Sequence, residues 1–233
     1  MAKKNSENTG IEILESPEAL QKEINKAESF FNGNKNLLSI VGGVLIAAAL
    51  GIVGYNYWIK QQTVETQTAM FDSVYYFESD SLDLALNGTG GNAGLLEVAE
   101  NYSSTAAGNL ANYYVGVAYM KKGEFQNAIN FLSEFSSNDL IVQGKAYALL
   151  GDANMELGKT AEAISSYEKA ADYKPNKYMT PNYLMKLGTA YEVAGDKQGA
   201  IDAYTEIVED YPSSANILAA TKYKTKLETE AGK

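Results

Sequence analysis

The chain has no cysteine, no histidine and no arginine. Without cysteine there is no disulfide framework, no thiol nucleophile and no site for a cysteine-borne lipid. Without histidine the commonest general base and the commonest metal ligand are both missing. All 19 basic residues are lysine, so no bidentate guanidinium clamp on a carboxylate or phosphate can form. Against 29 acidic residues they leave a formal charge of −10. Residues 1–60 carry six lysines and six acids, which cancel, whereas residues 61–233 carry 13 lysines and 23 acids. The whole negative charge therefore sits in the second part, which argues against nucleic acid or an anionic lipid surface as its partner.

What is present gives little chemistry. Asp80-Ser81-Leu82-Asp83 and Glu209-Asp210 are acidic clusters without the spacing of a calcium loop, and they read as solvated surface. Gly88 to Gly94 is glycine-rich, but no strand precedes it and no Gly-Lys-Ser/Thr follows, so it is not a phosphate loop. Lys121-Lys122 stands at a helix end, where lysine suits the helix dipole. Asn87-Gly88-Thr89 and Asn101-Tyr102-Ser103 match a glycosylation acceptor, which carries weight only in a glycosylating host. No catalytic residue, cofactor, metal or small-molecule substrate is expected.

The pattern that organises the chain is a threefold recurrence. Val115-Gly116, Tyr119, Gly123, Phe125 and Ala128 form the first copy. Leu150-Gly151, Asn154, Gly158, Thr160, Ala163, Ala170 and Pro175 form the second. Leu187-Gly188, Tyr191, Gly195, Lys197, Ala200 and Pro212 form the third. The small residue moves from 116 to 151 to 188, offsets of 35 and 37 residues. Each copy predicts two antiparallel helices. Gly116, Gly151 and Gly188 let the second helix approach the first, and Gly123, Gly158 and Gly195 end the first helix in a left-handed cap. Ala128, Ala163 and Ala200 mark the helix crossing, and Pro175 and Pro212 stop the second helix. A period near 34 with this sequence of features resembles the tetratricopeptide repeat, in which one hairpin cannot bury its own apolar face and neighbours stack into a solenoid. The expected fold class is all-α: a single N-terminal transmembrane helix followed by a tetratricopeptide-repeat α-solenoid.

The resemblance implies that the first helix of each hairpin lines a concave groove. Counting from the small residue, copy one offers Leu110, Tyr113, Val117 and Met120; copy two offers Lys145, Ala148, Asp152, Met155 and Glu156; copy three offers Asn182, Met185, Thr189 and Glu192. One methionine per copy suits a surface that accepts varied apolar partners, and equally suits ordinary core packing. Chaperone-binding members of the superfamily hold a peptide C-terminus with lysine and asparagine. Here Tyr113 and Val117 stand at the corresponding first-copy positions, so a chaperone-tail clamp is not expected.

Leu37 to Ile59 is an uncharged run of 23 residues, long enough to span a bilayer as a helix. Lys35 and Lys60 bracket it, and Tyr55, Tyr57 and Trp58 form an aromatic cluster at its end. It starts only after 36 largely polar residues, exceeds a secretory h-region and lacks a small-residue cleavage site, so it reads as an uncleaved anchor. Lys22, Lys26 and Lys35 before it, against Lys60 after it, predict a cytoplasmic N-terminus and repeats on the far side. Ser39, Gly43, Ala47, Gly51 and Tyr55 recur every fourth residue as a ridge where another transmembrane helix could pack, although small residues are common in such helices. Before the anchor, Ser16-Pro17-Glu18 is a helix start followed by Leu20, Ile24, Ala27 and Phe31, with Gly33 as its end: a short amphipathic helix for the membrane or a partner's cytoplasmic face.

The expected boundaries are 1–36 for the cytoplasmic segment, 37–59 for the span, 60–108 for a linker and degenerate capping repeat, 109–212 for three repeats, and 213–233 for a capping helix and tail. Within 60–108, Thr63 to Glu78, Leu82 to Leu86 and Gly94 to Tyr102 read as short helices and Gly88 to Asn92 as a flexible loop; Ile217 to Leu227 reads as the solvating helix. This layout is similar to the YfgM-like family of ancillary subunits of the bacterial SecYEG translocon. The lysine- and asparagine-rich composition resembles its members in Bacteroidota. The resemblance implies a bacterial inner-membrane protein with periplasmic repeats, partnered by SecYEG and a PpiD-like membrane-anchored chaperone and assisting exported polypeptides as they emerge. The alternative is an envelope-assembly scaffold binding a dedicated partner in a cell-wall, secretion or gliding machine. The missing cysteine excludes an outer-membrane assembly lipoprotein.

Overall fold

The computed structural model describes residues 17–232, which fall into two compact units, one ending at Trp58 and the other starting at Ile59. Ser16, the expected cap of the first helix, lies outside the described residues.

The first unit holds helix α1 (Pro17–Gly33) and the first part of helix α2 (Lys35–Glu78). Proline at the first position of α1 has no N–H to leave unsatisfied. Leu20, Ile24, Phe30 and Phe31 of α1 are all exposed. The most apolar 18-residue stretch within Lys35–Gln62 of α2 has a mean hydropathy of 2.5, and none of that stretch is buried. It is a helix long and apolar enough to cross a membrane.

The second unit holds the rest of α2, then α3 (Leu82–Asn87), β1 (Gly88–Thr89), β2 (Asn92–Ala93) and α4 (Leu95–Asn101). Three helix pairs follow: α5 (Ala106–Lys122) with α6 (Phe125–Glu134), α7 (Leu140–Glu156) with α8 (Thr160–Asp172), and α9 (Thr180–Ala194) with α10 (Lys197–Asp210). Helix α11 (Ile217–Glu230) closes the series. Two segments differ from expectation. Residues 60–78, read as a linker and a helix starting at Thr63, continue α2 without interruption. Gly88 to Asn92, read as a flexible loop, belongs to a two-stranded antiparallel hairpin pairing Gly88 with Ala93 and Thr89 with Asn92. Gly90 and Gly91 both take positive φ (62° and 90°) at its tip, the requirement of a tight two-residue turn. The hairpin is fastened to α2: Ser73 Oγ donates to Ala93 O at 2.7 Å, and Asn92 Nδ2 donates to the Asp72 carboxylate at 2.6 Å.

The hairpin glycines explain how the helix pairs close. A Cβ on Gly116 would lie 2.5 Å from Leu132 Cγ, one on Gly151 2.4 Å from Tyr167 Cε1, and one on Gly188 2.4 Å from Tyr204 Cε1. Each glycine thus seats the bulky residue 16 positions later, in the second helix of its pair. Ala128, Ala163 and Ala200 are fully buried where those helices cross. The first helices of copies one and three end at Gly123 and Gly195, with φ of 75° and 78°. The first helix of copy one starts at Ala106, capped by Thr105 Oγ1, which accepts from Gly108 N at 3.0 Å.

Most buried apolar side chains gather in two clusters, while Ala128 and Leu132 of α6, Phe135, and Ala146 and Ala153 of α7 are buried outside both. One joins α2, α3, α4 and α5 through residues such as Met70, Leu86, Leu95, Val98 and Val115. The other joins α7 to α11 through Tyr167, Leu184, Tyr204, Ile207 and Leu227. Between them, the 136–139 connection is held by polar bonds. Asn109 and Ser136 exchange two hydrogen bonds (2.8 and 3.0 Å), and Tyr173 Oη donates to Ser137 O at 2.8 Å.

Candidate protein-binding groove

A cleft of about 720 Å³ opens across the first helices of the three pairs. Met120 of α5, Met155 of α7 and Met185 of α9 all line it, with Phe125, Asp152, Glu156, Tyr167, Lys186 and Thr189. The three methionines do not occupy equivalent repeat positions. Met120 and Met155 follow their small residue by four places, whereas Met185 precedes Gly188 by three. Those two offsets are two helical turns apart and share a face, so the cleft runs obliquely across the helices.

Its polar side is built around Asp152. Tyr167 Oη donates to Asp152 Oδ1 at 2.7 Å, and Lys186 Nζ, from the next pair, reaches the same oxygen at 2.7 Å. The Tyr167 hydroxyl titrates well above the usual tyrosine range, first because it is buried and then because it donates to Asp152. Copy three repeats the arrangement with different residues: Tyr204 Oη donates to Glu192 Oε1 at 2.7 Å, and burial followed by that bond pushes its pKa up in the same way. Tyr191 Oη donates to Glu168 at 2.7 Å, and that bond, reinforced by burial, raises its pKa to about 12.

The other candidate residues are dispersed. Leu110 lines a separate apolar cleft of about 470 Å³ with Met70, Phe71, Val74 and Tyr75 of α2 and Ala106 and Ala107 of α5. Tyr113 is half-buried, its ring 5.2 Å from that of Phe135, and burial raises its pKa. Val117 is half-buried and Lys145 is exposed, neither lining the main cleft. Ala148, offered as a groove residue, is only 6% exposed and belongs to the core, because its face turns to the neighbouring pair. Asn182 accepts from Asn216 Nδ2 at 2.9 Å, and Glu192 is engaged by Tyr204. Ser39, Gly43, Ala47, Gly51 and Tyr55 lie exposed along one face of α2, and an added Cβ at Gly43 or Gly51 would meet nothing within 4 Å. Among the described residues no group of three acidic side chains converges as a metal site would require.

Three lining residues escaped the sequence reading: Phe125, Tyr167 and Lys186. Phe125 and Tyr167 belong to second helices, which the groove count omits. Lys186 directly follows Met185 and turns toward the preceding pair, where Asp152 draws it in.

Residues 148–215 match the family model described as tetratricopeptide repeat. A TPR repeat-containing protein of Methanocaldococcus jannaschii is 33% identical over 101 residues, covering 43% of this chain and 17% of that protein's own length. The crystal structure of MamA protein superposes with a TM-score of 0.54 at 19% identity, covering 72% of this chain and 82% of that one. A Podosopora anserina chain with nearly identical TPR-like repeats gives 0.54 at 16% identity, covering 72% and 87%. Both structures share the fold. Residues 148–215 carry the tetratricopeptide pattern, and the helix pairs around them form an all-helical solenoid with the fold of those two structures.

Proposed function

We propose that this chain, built on tetratricopeptide repeats, is a membrane-anchored, non-enzymatic subunit that holds a protein partner in the cleft across its repeats. The observation that carries the reading is the convergence of Met120, Met155 and Met185, one from each first helix, on one cleft. Thioether side chains adapt to the shape they meet, which suits a surface for polypeptides rather than for one rigid ligand. The exposed apolar face of Lys35–Gln62 supports an anchor in the lipid bilayer. Lysine asymmetry around it supports repeats on the non-cytoplasmic side of a bacterial inner membrane.

In its specific form the reading is an accessory subunit of the SecYEG translocon. The partners would be SecYEG through the Ser39-to-Tyr55 ridge and a PpiD-like membrane-anchored chaperone, or emerging exported chains, through the repeats. What supports this form is the layout: cytoplasmic helix, uncleaved anchor, acidic repeat domain. The test is purification of the tagged full chain in mild detergent with partners identified by mass spectrometry. Near-stoichiometric SecY and a PpiD-like chaperone are expected. Cell-wall, secretion or gliding-machine proteins in their place would overturn the translocon form and leave an envelope scaffold. Replacing residues 37–59 by an unrelated span is expected to release SecY; retention of the complex would remove the ridge from the account.

A further inference from the structure

The charges around the main cleft do not balance, and the imbalance selects a ligand. Asp152 is satisfied twice over, by the Tyr167 hydroxyl and by Lys186, both at 2.7 Å. Lys186 is in turn occupied by Asp152 and leans over the Tyr167 ring, 5.9 Å from its centroid. Glu192, further along, already accepts from Tyr204. Glu156 differs: it lines the cleft, is exposed, and has no ion-pair or hydrogen-bond partner among the described residues. It stands one turn beyond Asp152 and next to Met155. The cleft therefore offers an adaptable apolar floor of three methionines and Phe125 with one uncompensated carboxylate at its edge.

Resting on the reading of this cleft as the protein-binding groove, we infer that its ligand is a polypeptide segment presenting a bulky apolar side chain immediately beside a lysine or arginine. The apolar side chain enters between the methionines, which accept leucine, isoleucine, phenylalanine or methionine alike because their thioether arms rearrange around it. The cation pairs with Glu156. An acidic neighbour is repelled both by Glu156 and by the residue 61–233 excess of 23 acids over 13 lysines. The volume of about 720 Å³ lies in the ordinary range of ligand clefts and is large enough for a side chain with its flanking backbone.

The six methionines give a direct readout. The full chain, carrying 13C-methyl methionine and held in mild detergent, is titrated with three glycine–serine octapeptides whose central pair is leucine–lysine, leucine–glutamate or serine–lysine. The leucine–lysine peptide is expected to shift the methyl signals of Met120, Met155 and Met185. Met70, in the apolar cleft beside α2, and Met179, outside both clefts, should stay unmoved. The leucine–glutamate peptide should bind more weakly by up to roughly fivefold, the upper end for an exposed ion pair. Glu156→Lys should reverse that order without moving the unliganded spectrum elsewhere. Equal binding of the two leucine peptides, equal binding of the serine–lysine peptide, shifts confined to Met70, or no shift at all would each overturn the inference. A separate comparison isolates the underlying reading. If a Met120→Ser, Met155→Ser, Met185→Ser variant loses its co-purifying partner while the peptides show no preference, the groove stands and only the ligand class falls. If that variant keeps its partner, the groove itself falls.

Discussion

Replacing Gly151 by alanine tests the closure of the second helix pair. The new Cβ would lie 2.4 Å from Tyr167 Cε1, 2.5 Å from Cδ1 and 2.8 Å from Cζ, about 1 Å inside ordinary carbon–carbon contact. The ring cannot swing away freely, because Tyr167 is 4% exposed and its hydroxyl is bound to Asp152. Overpacking of this kind costs roughly 1–3 kcal/mol. Losing a hydrogen bond to a carboxylate costs roughly 1.5–3 kcal/mol more. Against this, alanine is favoured over glycine inside a helix by about 1 kcal/mol. The net expectation is a loss of about 1.5–5 kcal/mol. The assay is urea unfolding of the full chain in mild detergent, followed by circular dichroism. Gly188→Ala, which meets Tyr204 at 2.4 Å, should behave alike. Gly116→Ala should cost less, since it meets aliphatic Leu132, which can change rotamer. Gly33→Ala, with nothing within 4 Å, is the control. A Gly151→Ala protein as stable as the parent, or more stable by the propensity difference alone, would refute the claim that the glycine exists to seat the tyrosine.

Three further outcomes follow from individual side chains. Thr105→Ala should destabilise by about 1 kcal/mol through loss of the cap on Gly108 N, and Thr105→Ser should retain most of it; equal unfolding midpoints for the two variants would contradict the cap's role. Asp139 accepts from Val142 N and Ile141 N, which hold its carboxyl below the ordinary 3.8. A lowered folded pKa stabilises above the unfolded value and is lost as pH falls through the folded one, so the urea midpoints of parent and Asp139→Ala should differ at pH 7 and converge below about pH 4. Tyr191 works in the opposite direction: its pKa is raised from 10.0 to about 12 by the bond to Glu168, so its contribution is full below pH 10 and is lost between there and about pH 12. The parent should lose stability more steeply than Tyr191→Phe across that interval, and parallel curves would rule the bond out as the cause.

The repeats were legible because their glycines are fixed by local geometry. A left-handed cap at Gly123 and a close approach at Gly151 each allow little else, and their spacing survives in the letters alone. The hairpin at Gly88–Ala93 was not legible: strands of two residues contain no alternation to read, although adjacent Gly90 and Gly91 are the residues such a turn needs. The continuity of α2 was hidden by the change from apolar to polar composition near Lys60, which marks a change of surroundings and not of backbone. In the cleft, the methionines could be placed from helical spacing, since that depends on one helix at a time. The Asp152–Lys186 pair could not, because the two residues are 34 positions apart and meet only once neighbouring pairs have stacked. Leu110 lines the second cleft for a related reason: its neighbours Met70 and Phe71 lie on a helix outside the repeat pattern.

The two apolar clusters and the polar connection between them have a mechanical meaning. Hydrogen bonds such as Asn109–Ser136 and Tyr173–Ser137 can be exchanged for water, whereas a continuous apolar core cannot be opened without exposing it. Between the clusters the packing continues through Ala128, Leu132, Phe135, Ala146 and Ala153, and near residues 136–139 it is shared with these polar bonds. Met120 and Phe125 stand before that connection, and Met155 and Met185 after it. An occupant of the cleft touches both sides at once, so its contacts add to those that hold the repeats together.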